Sequence, residues 1–508
     1  MKRVLVIVVI VLCGMISFAQ EADSVITPTR STKSYLIADH AEKDYSFLKE
    51  KCQQAGLDLG LSVLANRIPV FSKLVSPKPS MHLLKQGVLR LQLPMNDHQN
   101  EFAVYHSDLF DTPSSINVLQ IDDELITYRT METSGDIHLL YHCTRGAFGT
   151  QKSAHAKDAV VYKLWDTPER TLLPDLETQD KMAQAIAQQY ANTNYDLLIF
   201  NDLKSYGYSE QGDTAIGHFL DTMRKYNPDK LLQGDLLTPI SWHYLSRINE
   251  NKLWNENMRN IMVETLSERQ DYYLSKQMPW MIGNFQIHLS DKNRKTTTRE
   301  ELEWFLSKAA AFDAGFGLIA YTETLRKHGL IDEMLNSINI WETLRLDGAF
   351  SEKQKETFKD PYGNWHIEKA DSTYLLYPQY ISRRYYCVLN DDQWEWYSPN
   401  ESRYALQIEV EGKGSISELS FRTPNGILYF RCTLKAGQYL VYDFDGTARI
   451  TDADYNTLEA FQPQGVSVLN EGSNEVSFSC EMATVGDKSP MLTIRYITRG
   501  DAEEIGMP

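Results

Sequence analysis

The chain has 508 residues and a formal charge of −17, from 51 Lys and Arg against 68 Asp and Glu. That excess repels nucleic acid and anionic membrane surfaces over most of the molecule, so neither is expected as a partner. With 42% hydrophobic and 11% aromatic residues the chain can bury large cores, which excludes a disordered polymer, and its length suits several domains of roughly 100–200 residues each.

Residues 1–19 have the order of a secretory signal peptide. Lys2 and Arg3 precede the apolar run Val4 to Leu12, and Ser17 and Ala19 place small residues at −3 and −1 from Gln20. Cleavage before Gln20 and export to the periplasm or the exterior are expected. Lipid attachment at Cys13 would need a small preceding residue, and Leu12 is not small. The run is too short to span a hydrocarbon core of about 30 Å, and no later stretch is apolar enough for a membrane span. The other cysteines, Cys52, Cys143, Cys387, Cys432 and Cys480, are odd in number, far apart and without a CxxC. They form neither a disulfide framework nor a zinc cluster. They read as small buried hydrophobes, with one pair among the last three able to bridge in an oxidising compartment.

From Ser34 the pattern alternates strand and helix. Tyr35 to Ala38 reads as a strand ending at Asp39 and His40. Tyr45, Leu48, Cys52 and Ala55 follow at helical spacing, and Leu57 to Leu64 reads as the next strand. Residues 75–163 break this rhythm with short alternating runs such as Val88 to Leu93 and Glu124 to Tyr128, and read as a β-rich insertion. Within it, Cys143 to Thr150 followed by His155 reads as a structural β-turn. Its two glycines lack the GK[ST] ending and the helix of a phosphate loop.

The alternation then resumes. Met182, Ile186 and Tyr190 share a helix face, and Asp196 to Phe200 reads as a buried parallel strand. Asp213 is expected to cap a helix carrying Ile216, Phe219, Leu220 and Met223, stopped by Pro228. Leu231 to Gln233 is a short strand, Lys252 to Leu274 a long helical region, and Trp280 to Phe285 another strand. Thr298 and Glu301 form a capping box, and Phe316 to Tyr321 is a further strand. The simplest closed arrangement is an α/β fold of (β/α)8 barrel type over 34–74 and 164–368, with an open doubly wound sheet as the alternative. No GxGxxG supports a dinucleotide site, and no cofactor or metal is implied. After Lys369, strands and turn signals such as Pro424-Asn425-Gly426 predict an all-β sandwich over 369–508.

In a barrel, reactive groups lie just past the C-terminal ends of the strands. Those positions hold Asp39 and His40; Asn201, Asp202 and Lys204; Asp235; Asn284, Gln286 and His288; and Glu323. Hydrolysis of a glycosidic bond generally uses two carboxyl groups, and Asp202, Asp235 and Glu323 are the strand-end candidates for catalysis. Lys204 beside Asp202 favours its ionised form. Tyr206, Tyr208, Trp242, His243 and Trp254 fall in expected loops nearby, where flat rings can stack on a pyranose. Asn201, Lys204, Tyr206, Trp242, His243, Trp254 and Asn284 are therefore candidate substrate-binding residues.

Three stretches carry a resemblance: Cys143 to Thr150 with His155, Leu197 to Lys204, and Lys308 to Phe316. In these the chain resembles secreted glycoside-hydrolase-like proteins of bacterial polysaccharide-utilisation systems, which join an N-terminal barrel to a C-terminal β-sandwich. The resemblance implies a carbohydrate-active protein with a glycan or polysaccharide as partner. The family pattern ends the strand in Phe-Asp-Gly-x-Glu. This chain reads Phe200-Asn201-Asp202-Leu203-Lys204, with Asn201 and Lys204 at the acidic positions. Two readings follow: a glycoside hydrolase using Asp202, Asp235 or Glu323, and a catalytically degenerate barrel that binds glycan through aromatics. A lyase using Lys204 and His243 is a third.

Overall fold

The computed structural model describes residues 7–12, 34–39, 50, 58–64, 67–112, 114–168, 170–191, 195–204, 211–250, 252–275 and 280–506. The helix expected over Tyr45 to Ala55 lies outside the described residues, apart from residue 50. The chain divides into two compact units, Ala38–Asn251 and Met1–Ile37 with Lys252–Pro508. Both mix parallel α/β structure with antiparallel sheet.

In the Ala38–Asn251 unit four strands lie parallel in the order Arg247–Asn249, Leu231–Gly234, Leu197–Asn201, Asp58–Leu64. Leu197, Leu198, Ile199 and Phe200 are all buried, as a strand covered on both faces requires. The helices Leu176–Ala191 and Gly212–Tyr226 are tied together by Gln179 Nε2 donating to the Ala215 carbonyl at 2.8 Å. Phe219 sets its ring edge-on to Phe200, centroids 5.2 Å apart. Asp213 does not cap its helix. Gln211 holds the N-cap without a side-chain capping bond to the helix, and Asp213 sits in the first turn, where it complements the helix dipole.

Residues 85–164 of this unit contain two antiparallel sheets. One orders Lys85–Arg90, Val160–Leu164, Val118–Ile121 and Glu124–Thr127; the other orders Phe102–Tyr105, Ile137–Tyr141 and Thr130–Ser134. Alternate apolar residues, among them Leu89, Leu119, Ile121, Ile126, Leu140 and Val161, fill one core. The Cys143 to Thr150 turn is locked by a buried ion network. Arg145 donates through Nε and a second guanidinium nitrogen to both Glu124 oxygens at 2.8 Å, and His155 bridges Glu124 at 2.9 Å and Asp122 at 2.8 Å. Burial would raise the Glu124 pKa, but His155 and Arg145 outweigh it and hold the carboxyl at about 2. These groups are consumed by one another, which is the behaviour of a structural clamp.

In the second unit, Leu253–Trp254, Trp280–Ile287 and Gly315–Tyr321 run parallel. The helical region expected from Lys252 begins instead with the strand Leu253–Trp254, and the helix is Arg259–Ser275. The apolar run Ile7–Leu12, expected to belong to a leader, lies antiparallel to Gly315–Tyr321. The capping box on the helix Arg299–Ala311 is present, with Thr298 and Glu301 bonding reciprocally.

Beyond the last helix, Glu352–Phe358, all elements are strands. Two antiparallel sheets, one containing Ala405–Gly412 and Pro490–Arg499, the other Ser415–Thr423, Gly426–Lys435 and Gly472–Ala483, bury a common core. Trp396 stacks on Tyr496 with centroids 4.4 Å apart at its centre. Cys387, Cys432 and Cys480 are free thiols here, as is Cys143 in the other unit, so among the described residues no pair bridges. No described helix is long and apolar enough to cross a membrane.

Candidate functional site

The parallel sheet of the Ala38–Asn251 unit brings two predicted carboxylates together. The strand Leu197–Asn201 delivers Asn201 and Asp202 at its C-terminal end, and the adjacent strand Leu231–Gly234 delivers Asp235. Both aspartates are buried, 3% and 5% exposed. Their settings differ. Asp202 forms an ion pair with Arg67, three residues past the end of the strand Asp58–Leu64. Asp235 Oδ1 accepts the Leu203 amide at 2.7 Å. Burial, reinforced by the charge of Asp202 and opposed by the Leu203 amide and Lys204, pushes the Asp235 carboxyl up to about 6. One carboxylate thus has its charge matched by a guanidinium, while its neighbour holds a proton two pH units above the ordinary aspartate range. That division sets apart a proton donor and a carboxylate held in an ion pair.

The backbone contributes. Asp202 has φ +119°, outside the ordinary range for a residue with a Cβ. Such conformations persist where surrounding contacts over-determine them, and they cluster at functional sites. Asn201 donates from its side-chain amide to Ser62 Oγ on the neighbouring strand. Below the carboxylates, Gln233 accepts from Arg247 Nε at 2.7 Å, and Arg247 is 1% exposed.

Lys204 is exposed and close enough to Asp235 to act on its charge. Trp242 and His243 lie on the short turn Ser241–His243, with Trp242 46% exposed and its ring edge-on to His243 at 5.3 Å. The turn is anchored by buried Ser241, which accepts the Thr238 amide at 2.7 Å. Tyr206 and Tyr208 lie outside the described residues.

Three predicted residues belong to the other unit. Glu323 is exposed and pairs with Lys327 one helical turn on, at 2.8 Å. Asn284 is buried in the strand Trp280–Ile287, and its backbone N–H donates to the Lys252 carbonyl at 2.7 Å. Trp254 lies in a strand, not a loop, and is 3% exposed; its indole N–H donates to the Ile282 carbonyl at 2.5 Å. Gly283 makes room for it. A Cβ there would fall 2.6 Å from Trp254 Nε1, and the residue has φ +114°.

Sequence reasoning missed Arg67. Its position just past a parallel strand was the available signal, but its ion partner Asp202 lies 135 residues on in sequence. Among the described residues no group of three or more His, Cys, Asp and Glu is arranged to hold a metal ion.

No family model and no curated relative matches this chain. Among solved structures, a GH27 β-L-arabinopyranosidase from Geobacillus stearothermophilus is similar at 9% identity and a TM-score of 0.30, over 88% of this chain and 79% of that one. The glycoside hydrolase domain of PelA from Pseudomonas aeruginosa is similar at 10% identity and a TM-score of 0.31, over 57% of this chain and 87% of that domain. A pyruvate kinase from Cryptosporidium parvum is similar at 12% identity and a TM-score of 0.29, over 64% and 66%. At such scores none of these likenesses assigns a role to a residue of this chain.

Proposed function

We propose that this is a secreted glycoside hydrolase of barrel type that acts on a glycan through Asp202 and Asp235. The observation that carries the reading is the divergence of two strand-end carboxylates on adjacent parallel strands. Asp235, protonated up to about pH 6, is the proton donor to the leaving oxygen. Asp202, its charge matched by Arg67, is the base, nucleophile or stabiliser of the oxocarbenium-like transition state. Lys204 and Trp242 are the exposed groups of this unit that would meet the sugar, by hydrogen bonding and by stacking. The leader, cleavage before Gln20 and polysaccharide as the natural substrate belong to this proposal. So does a glycan-contacting or stabilising role for the sandwich.

The test is hydrolysis of a polysaccharide and aryl-glycoside panel by the mature chain and by Asp202→Asn and Asp235→Asn. Each variant should lose about 10²-fold or more in turnover, as removal of an acid or base does. Asp235→Asn should be hit hardest on substrates with poor leaving groups, which depend most on protonation. Exposed Trp242 favours a second reading, a barrel that binds glycan without cleaving it. In that case the carboxylate variants would leave affinity within a few-fold and Trp242→Ala would weaken it by about 1 kcal/mol.

A further inference from the structure

The strand Asn364–Ala370 is the edge of the sheet that contains Ala405–Gly412 and Pro490–Arg499, and it leads the chain from the last helix into the sandwich. It lies against the helices Arg299–Ala311 and Ile331–Leu346. Its His366 is 7% exposed and has a carboxylate at each ring nitrogen. Nδ1 meets Glu303 of the helix Arg299–Ala311 at 2.8 Å, and Nε2 faces Glu368 of its own strand at 3.4 Å. Glu303 is 1% exposed and accepts the hydroxyl of Ser337, from the helix Ile331–Leu346, at 3.1 Å. Glu368 accepts from Arg499 at 2.7 Å. The Arg499 guanidinium also covers the ring of Tyr377, the register neighbour of His366 on the next strand. Arg299, one turn before Glu303, is the cation that opposes charge on His366. It is itself engaged by Glu300 at 3.8 Å and Glu333 at 3.5 Å.

A neutral imidazole carries one N–H, so it can donate to only one of the two carboxylates and turns a lone pair on the other. The arrangement therefore calls for the imidazolium, which donates to both and gives the buried Glu303 charge a cation. Burial works against that charge, but the Glu303 carboxylate and the hydrogen bonds to Glu303 and Glu368 outweigh it and raise the His366 pKa above its ordinary 6.5. A proton held more tightly in the folded state stabilises the contact fully below about pH 6.5, and that stabilisation is lost as pH rises through the raised value. We propose that Glu303, His366 and Glu368 form a pH-sensitive latch. Protonated His366 pins the edge strand of the sandwich to the helix Arg299–Ala311, and loss of that proton on the alkaline side loosens the strand. The latch rests on these groups alone and needs nothing of the carbohydrate reading.

Hydrogen exchange of the Asn364–Ala370 amides in the full chain, followed by mass spectrometry, tests it, because exchange reports local opening. The ratio of the rate in His366→Gln to that in the wild type at one pH cancels the intrinsic pH dependence of exchange. Glutamine keeps a donor for Glu303 and carries no charge. The ratio should be at least about tenfold at pH 5, the worth of one unit of raised proton affinity, and should fall at least about fivefold by pH 9. Glu368→Gln, at a side chain 43% exposed, should give the same trend with a smaller factor, and it guards against a misfolded His366 variant. Exchange equal to the wild type at pH 5 in the His366 variant would overturn the latch. So would a ratio that stays constant from pH 5 to pH 9 in either variant, which is what packing alone would give.

Discussion

Asp235 makes a claim about stability as well as chemistry. A carboxyl whose folded pKa lies above its ordinary 3.8 binds its proton more tightly in the native state, so its ionisation opposes folding as pH rises toward about 6. Asp235→Asn should therefore stabilise the protein at pH 8, by up to about 3 kcal/mol for a shift of two units, and change little below pH 4. Thermal unfolding at the two pH values checks this, and equal effects at both would show that burial is not shifting the group. Arg67→Met should do the reverse, because it leaves Asp202 as an uncompensated buried charge. A loss of about 3–5 kcal/mol is expected, with most of it restored in the Arg67→Met/Asp202→Asn double variant. Restoration in the double variant separates the charge from packing of the arginine stem.

At the scale of elements, how much was legible depended on whether a local rule or a tertiary contact decided the outcome. The capping box at Thr298 and Glu301 and the buried strand at Leu197 to Phe200 follow from residue order alone, and the structure places both there. The strand Leu253–Trp254 was not legible: Trp254 read as a loop aromatic and the sequence from Lys252 to Leu274 as helical. What makes it a strand is pairing with Trp280–Ile287 and the space left by Gly283, neither of which is local. Of the candidate site, Asp202 and Asp235 were legible because strand ends can be counted. Arg67 was not, because its partner is 135 residues away in sequence. Lys308 shows the same limit. It reads as an ordinary helical lysine, yet it is fully buried and its ammonium donates to the Phe358 and Asp360 carbonyls at 2.5 and 2.7 Å. Lys308→Met should strand both carbonyls and cost about 2–6 kcal/mol, at about 1–3 kcal/mol for each buried unsatisfied group. Chemical denaturation would read it, and a change under 0.5 kcal/mol, the size expected of an ordinary surface substitution, would mean that water replaces the ammonium.

For the whole molecule, the proposal of export has a structural consequence. Cleavage before Gln20 removes the strand Ile7–Leu12 from the edge of Gly315–Tyr321. Mass spectrometry of the protein from its native host should find Gln20 at the N-terminus. A chain that keeps Met1 would make that strand part of the working protein. The glycosidase account itself stands on the two aspartates, and the measurement that tests it most directly is the pH–rate profile of glycan hydrolysis by the mature chain beside Asp202→Asn and Asp235→Asn. The account predicts wild-type turnover that falls on the alkaline side near pH 6, where Asp235 gives up its proton, and a loss of about 10²-fold or more in each variant. Turnover in either variant that matches the wild type across the pH range would contradict it.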